Sequence, residues 1–431
     1  MKQVKLCAKM DRNYLTPGLN QKAYLMIKLT APVEQESSRV KQNISFVIDR
    51  SGSMEGNKLR FTKQAVSFAL GHLGTEDHSS IVAFDHRVKT LVESGRVTNH
   101  DSIKRMVERL VTGGSTNLSG GVAEGLRQVV STMGEGQVNR VLLLTDGKAN
   151  VGITEKDELV NLAGSLADKG VGLSTFGLGK DFEEDLLSGM AEAGKGNFYY
   201  IAGPEDIPSI FGEELEGLLK VHGQNLSLHI APGEGVRVRR VLGYRSEGNS
   251  DITLSLPDIY QGEEKTIVTE LEIDAGMESL FEDSFTPSLD IHLEYARIEE
   301  GVSFERVSER VEMRYGGLKE KEGQFDPEVL AEVELIRGME LKDEVLRLAD
   351  RGEFEKGRHL MNEHLKVLKQ LLAETGKEEL QLEIEELLEY VPRFEKKLYD
   401  TNIRKKMSHN IYMRKSGHGK RLHIDKGDNP F

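Results

Sequence analysis

The feature that most limits what this chain can fold into is a series of short, densely apolar runs, at 44–49, 80–84, 141–145, 173–177 and 197–201. Each is too short for a buried helix, and most are separated by segments long enough to be amphipathic helices. Strands apolar on both faces need cover on both faces, and crossover helices supply it. The expectation is an α/β domain with a doubly wound, mostly parallel, Rossmann-like sheet over 41–220. A further run at 88–92 follows its predecessor too closely for a crossover, so it is expected to lie antiparallel at the sheet edge.

The pattern differs on either side of this unit. Residues 1–40 hold two alternating runs, around 4–9 and 24–29, separated by the turn-rich stretch Thr16-Pro17-Gly18-Leu19-Asn20. Beyond about 221 alternation returns at 226–230, 236–241, 252–256, 266–273, 289–295 and 305–313. Closely spaced alternating strands predict an antiparallel β-sandwich over 221–316. The simplest arrangement inserts the α/β domain into that sandwich; a separate N-terminal hairpin lying on the α/β domain is the alternative.

From Asp326, a helix N-cap followed by Pro327 at the first helical position, the chain reads as helical to about 400. Three helices are expected over 317–400, the third ending at Pro392, forming a structural cap. One hairpin in it looks tetratricopeptide-like, but no repeat of fixed period accompanies it. His359 and His364, five residues apart, miss the spacing that puts two ligands on one helical face and are expected at its surface.

Net charge is −14, which argues against a general nucleic-acid binder, because phosphate neutralisation needs a basic surface. Residues 401–431 run the other way. Eight Lys or Arg against two Asp give them a net of +6 and leave −20 on the remainder. They are expected to be a solvated basic tail whose removal leaves the fold intact. Cys7 is the only cysteine, so no intramolecular disulfide can form. No stretch is apolar enough for a membrane span or a signal peptide, and a cytoplasmic location is expected.

Three loops carry the chemistry. In NISFVIDRSGSM an apolar strand ends at Asp49, and Ser51 and Ser53 follow around a tight Gly52 turn. TGGSTNLSGG supplies Thr116 just before a helix, and VLLLTDGKAN ends a buried strand at Asp146. Strand-end loops of open α/β sheets meet at the carboxyl edge, where ligands bind. Two carboxylates and three hydroxyls are hard oxygen donors, suited to Mg2+, Mn2+ or Ca2+ rather than zinc. They leave a divalent ion near neutral, and an open position on it favours an external carboxylate. Asn117 and Asn150 are expected to orient the loops, Asp85 to be a turn residue, and Lys148 to be an ordinary solvated lysine.

Asp49-Arg50-Ser51-Gly52-Ser53, then Thr116 in STNL, then Asp146 in TDG resembles the complete metal-ion-dependent adhesion site (MIDAS) of von Willebrand factor A (vWA) domains. The resemblance covers about 43–220. It implies Ser51, Ser53 and Thr116 as direct metal ligands, Asp49 and Asp146 acting directly or through water, and a partner's Asp or Glu completing the shell. The layout, with SLPDIYQGEEKTIVTELEI in the second β-domain and a helical C-terminus, is similar to bacterial multi-domain proteins of this class. It is also similar in plan to inter-alpha-trypsin-inhibitor heavy-chain-like and calcium-activated-chloride-channel-like members.

These readings imply a non-enzymatic adaptor or scaffold, with an AAA-type ATPase or a signalling complex as the kind of partner expected. The competing reading is a metal-dependent hydrolase using the same cation to activate water. It needs a general base, and the motif offers no His. A phosphotransferase of the haloacid-dehalogenase type would need Asp at position 51, where Ser51 stands. An RNA-binding role for the basic tail lacks aromatic residues beyond Tyr412 and Phe431.

Overall fold

The chain begins in a β-sandwich, leaves it to build an α/β domain, and returns. The structure is a computed structural model. It describes residues 3–12, 14–16, 19–33, 39–179, 182–244, 251–274, 287–298, 302–315, 325–396 and 399–415. First come β1 (Lys5–Met10), β2 (Tyr14–Leu15) and β3 (Gln21–Thr30). β1 and β3 pair antiparallel with Lys5 opposite Thr30.

The α/β domain follows as β4 (Lys41–Asp49), α1 (Asn57–His72), β5 (His78–Phe84), β6 (Val88–Arg96), α2 (His100–Glu108), α3 (Leu118–Ser131) and β7 (Gln137–Thr145). It continues through α4 (Lys156–Ala167), β8 (Gly172–Leu178), α5 (Glu184–Ala193), β9 (Lys195–Ile201) and α6 (Ile207–Leu219). The strand order is β6-β5-β4-β7-β8-β9. Only the edge strand β6 runs antiparallel, as its short connection requires. From β4 the chain builds outward to β5 and β6, then crosses to β7 on the other side. The order therefore reverses between β4 and β7, and the crevice at that switch point is where such sheets bind ligands. Phe46, Val47, Ile48, Phe84, Leu142 and Leu144 are fully buried. Helix α3 lies close on the sheet at Gly125, where a Cβ would come within 2.5 Å of Val47 Cγ2.

The sandwich resumes with β10 (Val221–Pro232), β11 (Val236–Val241), β12 (Ile252–Leu256), β13 (Ile259–Tyr260), β14 (Glu264–Ile273), β15 (Ser288–Ile298), β16 (Val302–Glu312) and β17 (Arg314–Tyr315). One sheet is β1-β3-β14-β11; the other is β12-β10-β15-β16, with β13 on β10. β3 pairs with β14 along its whole length, from Gln21 opposite Ile273 to Thr30 opposite Glu264. The N-terminal strands are therefore sandwich strands, and the α/β domain is an insertion; the separate-hairpin alternative does not hold. Leu25, Ile27 and Leu29 from one sheet share a core with Leu226, Leu228 and Leu293 from the other. The two domains are pinned at Arg140 on β7. Its fully buried guanidinium donates to Asp258 at 2.9 Å and to the Lys195 carbonyl at 3.0 Å.

The helical part is α7 (Pro327–Asp350), α8 (Phe354–Thr375), α9 (Glu378–Glu395) and α10 (Thr401–Lys415). Asp326 caps α7, accepting from the Glu328 and Val329 amides at 3.0 and 3.2 Å. Three expectations need correction. Helix α9 continues through Pro392 to Glu395. A proline near a helix end removes one N–H, and buried Phe394 beyond it anchors the final turn. His364 is not at the surface but buried, and burial, with Lys342 and Arg337 nearby, pushes its pKa down to about 4; His359 is exposed.

The third correction concerns the basic tail, which over 401–415 is the packed helix α10. Its residues Ile403, Met407 and Ile411 recur every four positions and join the core of the helical domain, while Tyr412 joins the α/β core. Lys405, itself buried, sits 3.6 Å above the Phe182 ring and donates to the Phe182 carbonyl at 2.7 Å and to Glu184 at 2.9 Å. Much of the basic charge thus neutralises the acidic body at a domain contact. Phe431 and the basic residues Lys420, Arg421 and Lys426 lie outside the described residues.

Candidate metal centre

Strand β4 delivers Asp49 to the carboxyl edge with its side chain fully buried. Oδ1 accepts from the Ser51 amide at 2.8 Å, and Oδ2 accepts from Thr145 Oγ1 at 2.6 Å. After the Gly52 turn, Ser51 Oγ and Ser53 Oγ lie 3.1 Å apart, and Ser53 Oγ donates to Asp146 Oδ1 at 2.8 Å. The second loop is stitched to the first by backbone bonds, from Gly52 N to Gly114 O at 2.9 Å and from Gly113 N to Arg50 O at 2.7 Å.

Thr116 is fixed to the third loop in both directions. Its amide donates to Asn150 Oδ1 at 2.7 Å, and its carbonyl accepts from the Asn150 amide at 3.1 Å. Gly147 closes the ring. A Cβ there would stand 3.2 Å from Asp49 Oδ2 and 3.2 Å from Thr116 Oγ1, so both oxygens face Gly147 and a side chain in its place would crowd them. Asp49, Ser51, Ser53 and Asp146, named from the sequence, are thus joined by a chain of hydrogen bonds, and Thr116 stands on the neighbouring loop facing the same glycine as Asp49.

The charge of the cluster fits a cation. Burial pushes the Asp49 carboxyl up to about 6; hydrogen bonds from Thr145 and Ser51 oppose this, and the neighbouring Asp146 adds to it. A buried carboxylate that is costly to ionise alone is stabilised by an adjacent positive charge. Among the described residues no group of three or more His, Cys, Asp or Glu stands ready to hold a metal. A cation here would be held by hydroxyls and two carboxylates, a donor set for Mg2+, Mn2+ or Ca2+.

The accompanying residues have defined tasks. Asn117 caps α3, accepting from the Gly120 amide at 3.0 Å. Asp85 does more than turn the chain. Nearly fully buried, it pairs with Arg50 of the first loop at 2.7 Å, its carbonyl accepts from the Asn117 amide of the second at 2.8 Å, and its carboxylate accepts from the Arg87 amide of its own turn at 2.7 Å, bracing the first loop against the second. Lys148 is exposed and pairs with Glu183 at 3.2 Å. His86, which the motif did not include, stands at the rim with Nδ1 3.4 Å from Asp85 Oδ1.

Sequence reasoning passed over three residues of the site. Thr145 and Gly147 flank Asp146 in the same TDG motif and could have been found there. Lys58, on the first turn of α1, pairs with Asp146 Oδ2; nothing local to its segment signals this.

The family model of the von Willebrand factor type A domain matches residues 43–213. An uncharacterised protein of Synechocystis sp., sll0103, is 26% identical over 275 residues, covering 61% of this chain and 65% of that protein. Inter-alpha-trypsin inhibitor heavy chain H2 of Mus musculus is 31% identical over 184 residues, covering 39% of this chain and 19% of that protein. The chain thus spans less than two thirds of the length of either relative. Among solved structures, the von Willebrand factor type A protein from Catenulispora acidiphila superposes with a TM-score of 0.71 at 15% identity, over 95% of this chain and 96% of that one. That likeness concerns the fold alone, and it extends across all three parts of the chain. Residues 43–213 of this chain are a von Willebrand factor type A domain.

Proposed function

We propose that this chain is a protein-interaction module, an adaptor or scaffold. In it Asp49, Ser51, Ser53, Thr116 and Asp146 hold a divalent cation, Mg2+ or else Mn2+ or Ca2+. A partner's Asp or Glu takes the position the chain leaves open. The observation that carries this reading is the space beside Gly147, walled by Asp49 and Thr116. Three loops are tied together around it by hydrogen bonds that do not depend on any partner.

Hydroxyl ligands leave a bound cation strongly electrophilic, which favours an anionic sixth group. A hydrolase would need a base to deprotonate water. Both oxygens of Asp49 already accept hydrogen bonds from the chain, as does Asp146 from Ser53 and Lys58. His86 is held at the rim by Asp85. These arrangements favour binding over catalysis. An AAA-type ATPase or a signalling complex remains the kind of partner proposed, in the cytoplasm. No helix among the described residues is long and apolar enough to cross a membrane.

The test is thermal unfolding with increasing Mg2+. Binding to the folded state adds RT ln(1 + [L]/Kd), about 2.7 kcal/mol at a hundredfold excess over Kd. Thr116→Ala should remove that increment. An immobilised peptide bearing Asp or Glu should then retain the unaltered protein in Mg2+ and release it in EDTA. Absence of any metal-dependent shift in the unaltered protein overturns the reading.

A further inference from the structure

Lys58 is built into the site. It is the second residue of α1, five residues beyond Ser53 and four beyond the end of that residue's 3-10 turn (Gly52–Met54), and its side chain is 22% exposed. Its ammonium pairs with Asp146 Oδ2, while Oδ1 of the same carboxylate accepts from Ser53 Oγ. The stem is accommodated by a second feature, Gly179, which follows the end of β8. A Cβ at Gly179 would stand 2.9 Å from Lys58 Cε, and its φ of +73° is one that residues with side chains rarely adopt. Glycine at the carboxyl edge of β8 thus leaves a lane along which the lysine reaches the neighbouring strand's carboxylate.

We infer that Lys58 is a specificity-determining residue of the cation site: it weakens the site's hold on the cation and strengthens the loaded site's demand for an anionic group. This inference rests on the cation reading given above. Asp49 and Asp146 contribute two negative charges, which a divalent ion cancels. With the Lys58 ammonium on Asp146, the loaded cluster is left with one positive charge. Like charges repel strongly at partly buried separations, so the cation binds less tightly than two free carboxylates would allow. The same surplus charge attracts a carboxylate into the open coordination position. The cation's own charge couples metal and acidic partner, each raising the affinity for the other, and the Lys58 ammonium adds to the attraction for the anion. A neutral side chain at position 58 leaves a site that holds metal more tightly and anions more weakly.

The experiment uses the full chain and Mn2+ as probe. Mn2+ affinity is measured by calorimetry with and without acetate, and acetate entry is followed by the relaxation of water protons around bound Mn2+. Lys58→Met is expected to bind Mn2+ at least about tenfold more tightly than the unaltered protein, and its Mn2+-loaded form to bind acetate at least about threefold more weakly. Lys58→Arg, which keeps the charge, should stay close to the unaltered values. Lys58→Gln guards against a packing effect peculiar to methionine and should behave as Lys58→Met. Melting in EDTA should fall for both neutral variants, because Asp146 loses its counter-charge, while their Mn2+-induced gain grows. Equal or weaker Mn2+ binding by both neutral variants, or undiminished acetate binding by their Mn2+-loaded forms, overturns the inference and leaves the cation reading standing. No Mn2+ binding by the unaltered protein overturns both.

Discussion

Replacing Asp49 with Asn separates the electrostatics of the site from its packing. Asp49 is fully buried, and burial lifts its carboxyl to about 6, from an ordinary value near 4. Because the folded pKa lies above the unfolded one, the folded protein binds the proton more tightly than the unfolded chain between about pH 4 and pH 6. Stability contributed by this residue therefore falls as pH rises through that window, and the full cost of the buried charge is present above it. A shift of about two units corresponds to on the order of 3 kcal/mol. Asparagine preserves the shape. The Ser51 amide can still donate to Oδ1, and Asn Nδ2 can donate to Thr145 Oγ1, at the cost of the acceptor that the Thr145 hydroxyl proton has in Asp49.

In EDTA at neutral pH, D49N is thus expected to be more stable than the unaltered protein, with the melting temperature of the α/β domain raised by roughly 5–10 °C. The advantage should disappear by about pH 4.5, where Asp49 is protonated. In saturating Mg2+ the order should narrow or reverse, because only the unaltered protein gains from the metal. The chain has no Trp, so circular dichroism is the suitable readout. A D49N protein less stable than its parent in EDTA at neutral pH, or an advantage that does not change with pH, refutes the argument.

Gly147→Ala should close the space between Asp49 and Thr116, since the added methyl lies 3.2 Å from an oxygen of each. The expected result is a loss of Mg2+ affinity of at least about tenfold by calorimetry, with melting in EDTA changed by no more than about 1 kcal/mol; unchanged affinity would show that the space is not where the cation sits. Ending the chain at Asp400 removes α10 and uncovers the surfaces against which Ile403, Met407, Ile411 and Tyr412 are buried. At about 1.5–3 kcal/mol for each buried side chain, the truncated protein should melt at least about 5 °C lower by circular dichroism; a superimposable melting curve would return this segment to the status of a tail.

The site was legible because its residues are positioned locally. A strand that ends at Asp49 and a two-residue spacing to Ser51 and Ser53 place three oxygens on one turn, whatever the rest of the chain does. Asp146 sits at another strand-to-helix junction, and the topology of a parallel sheet brings such junctions to one edge; Thr116 stands just before a helix, in the loop between α2 and α3. Lys58 was invisible for the opposite reason. A lysine in the first turn of an amphipathic helix is ordinarily solvated, and its reach to Asp146 depends on Gly179, more than a hundred residues away in the chain. The character of α10 was hidden in another way: summing charge over 401–431 buried an apolar stripe whose partners lie in two other domains.

The sequence by itself determined the order of the elements, the alternation of strand and helix, and the oxygen-bearing side chains Asp49, Ser51, Ser53, Thr116 and Asp146 of the loops that meet at the sheet's carboxyl edge. Periodicity and strand ends are properties of contiguous residues, and they carry that information without reference to anything distant. Only the tertiary structure decided that β3 pairs with β14 and makes the α/β domain an insertion, and that Arg140 binds Asp258 across the domain boundary. It alone set Lys58 on Asp146 and buried Lys405 against Phe182 and Glu184. Each of these joins residues far apart in the chain, where the same side chain, solvated or paired, reads identically until its neighbour is known.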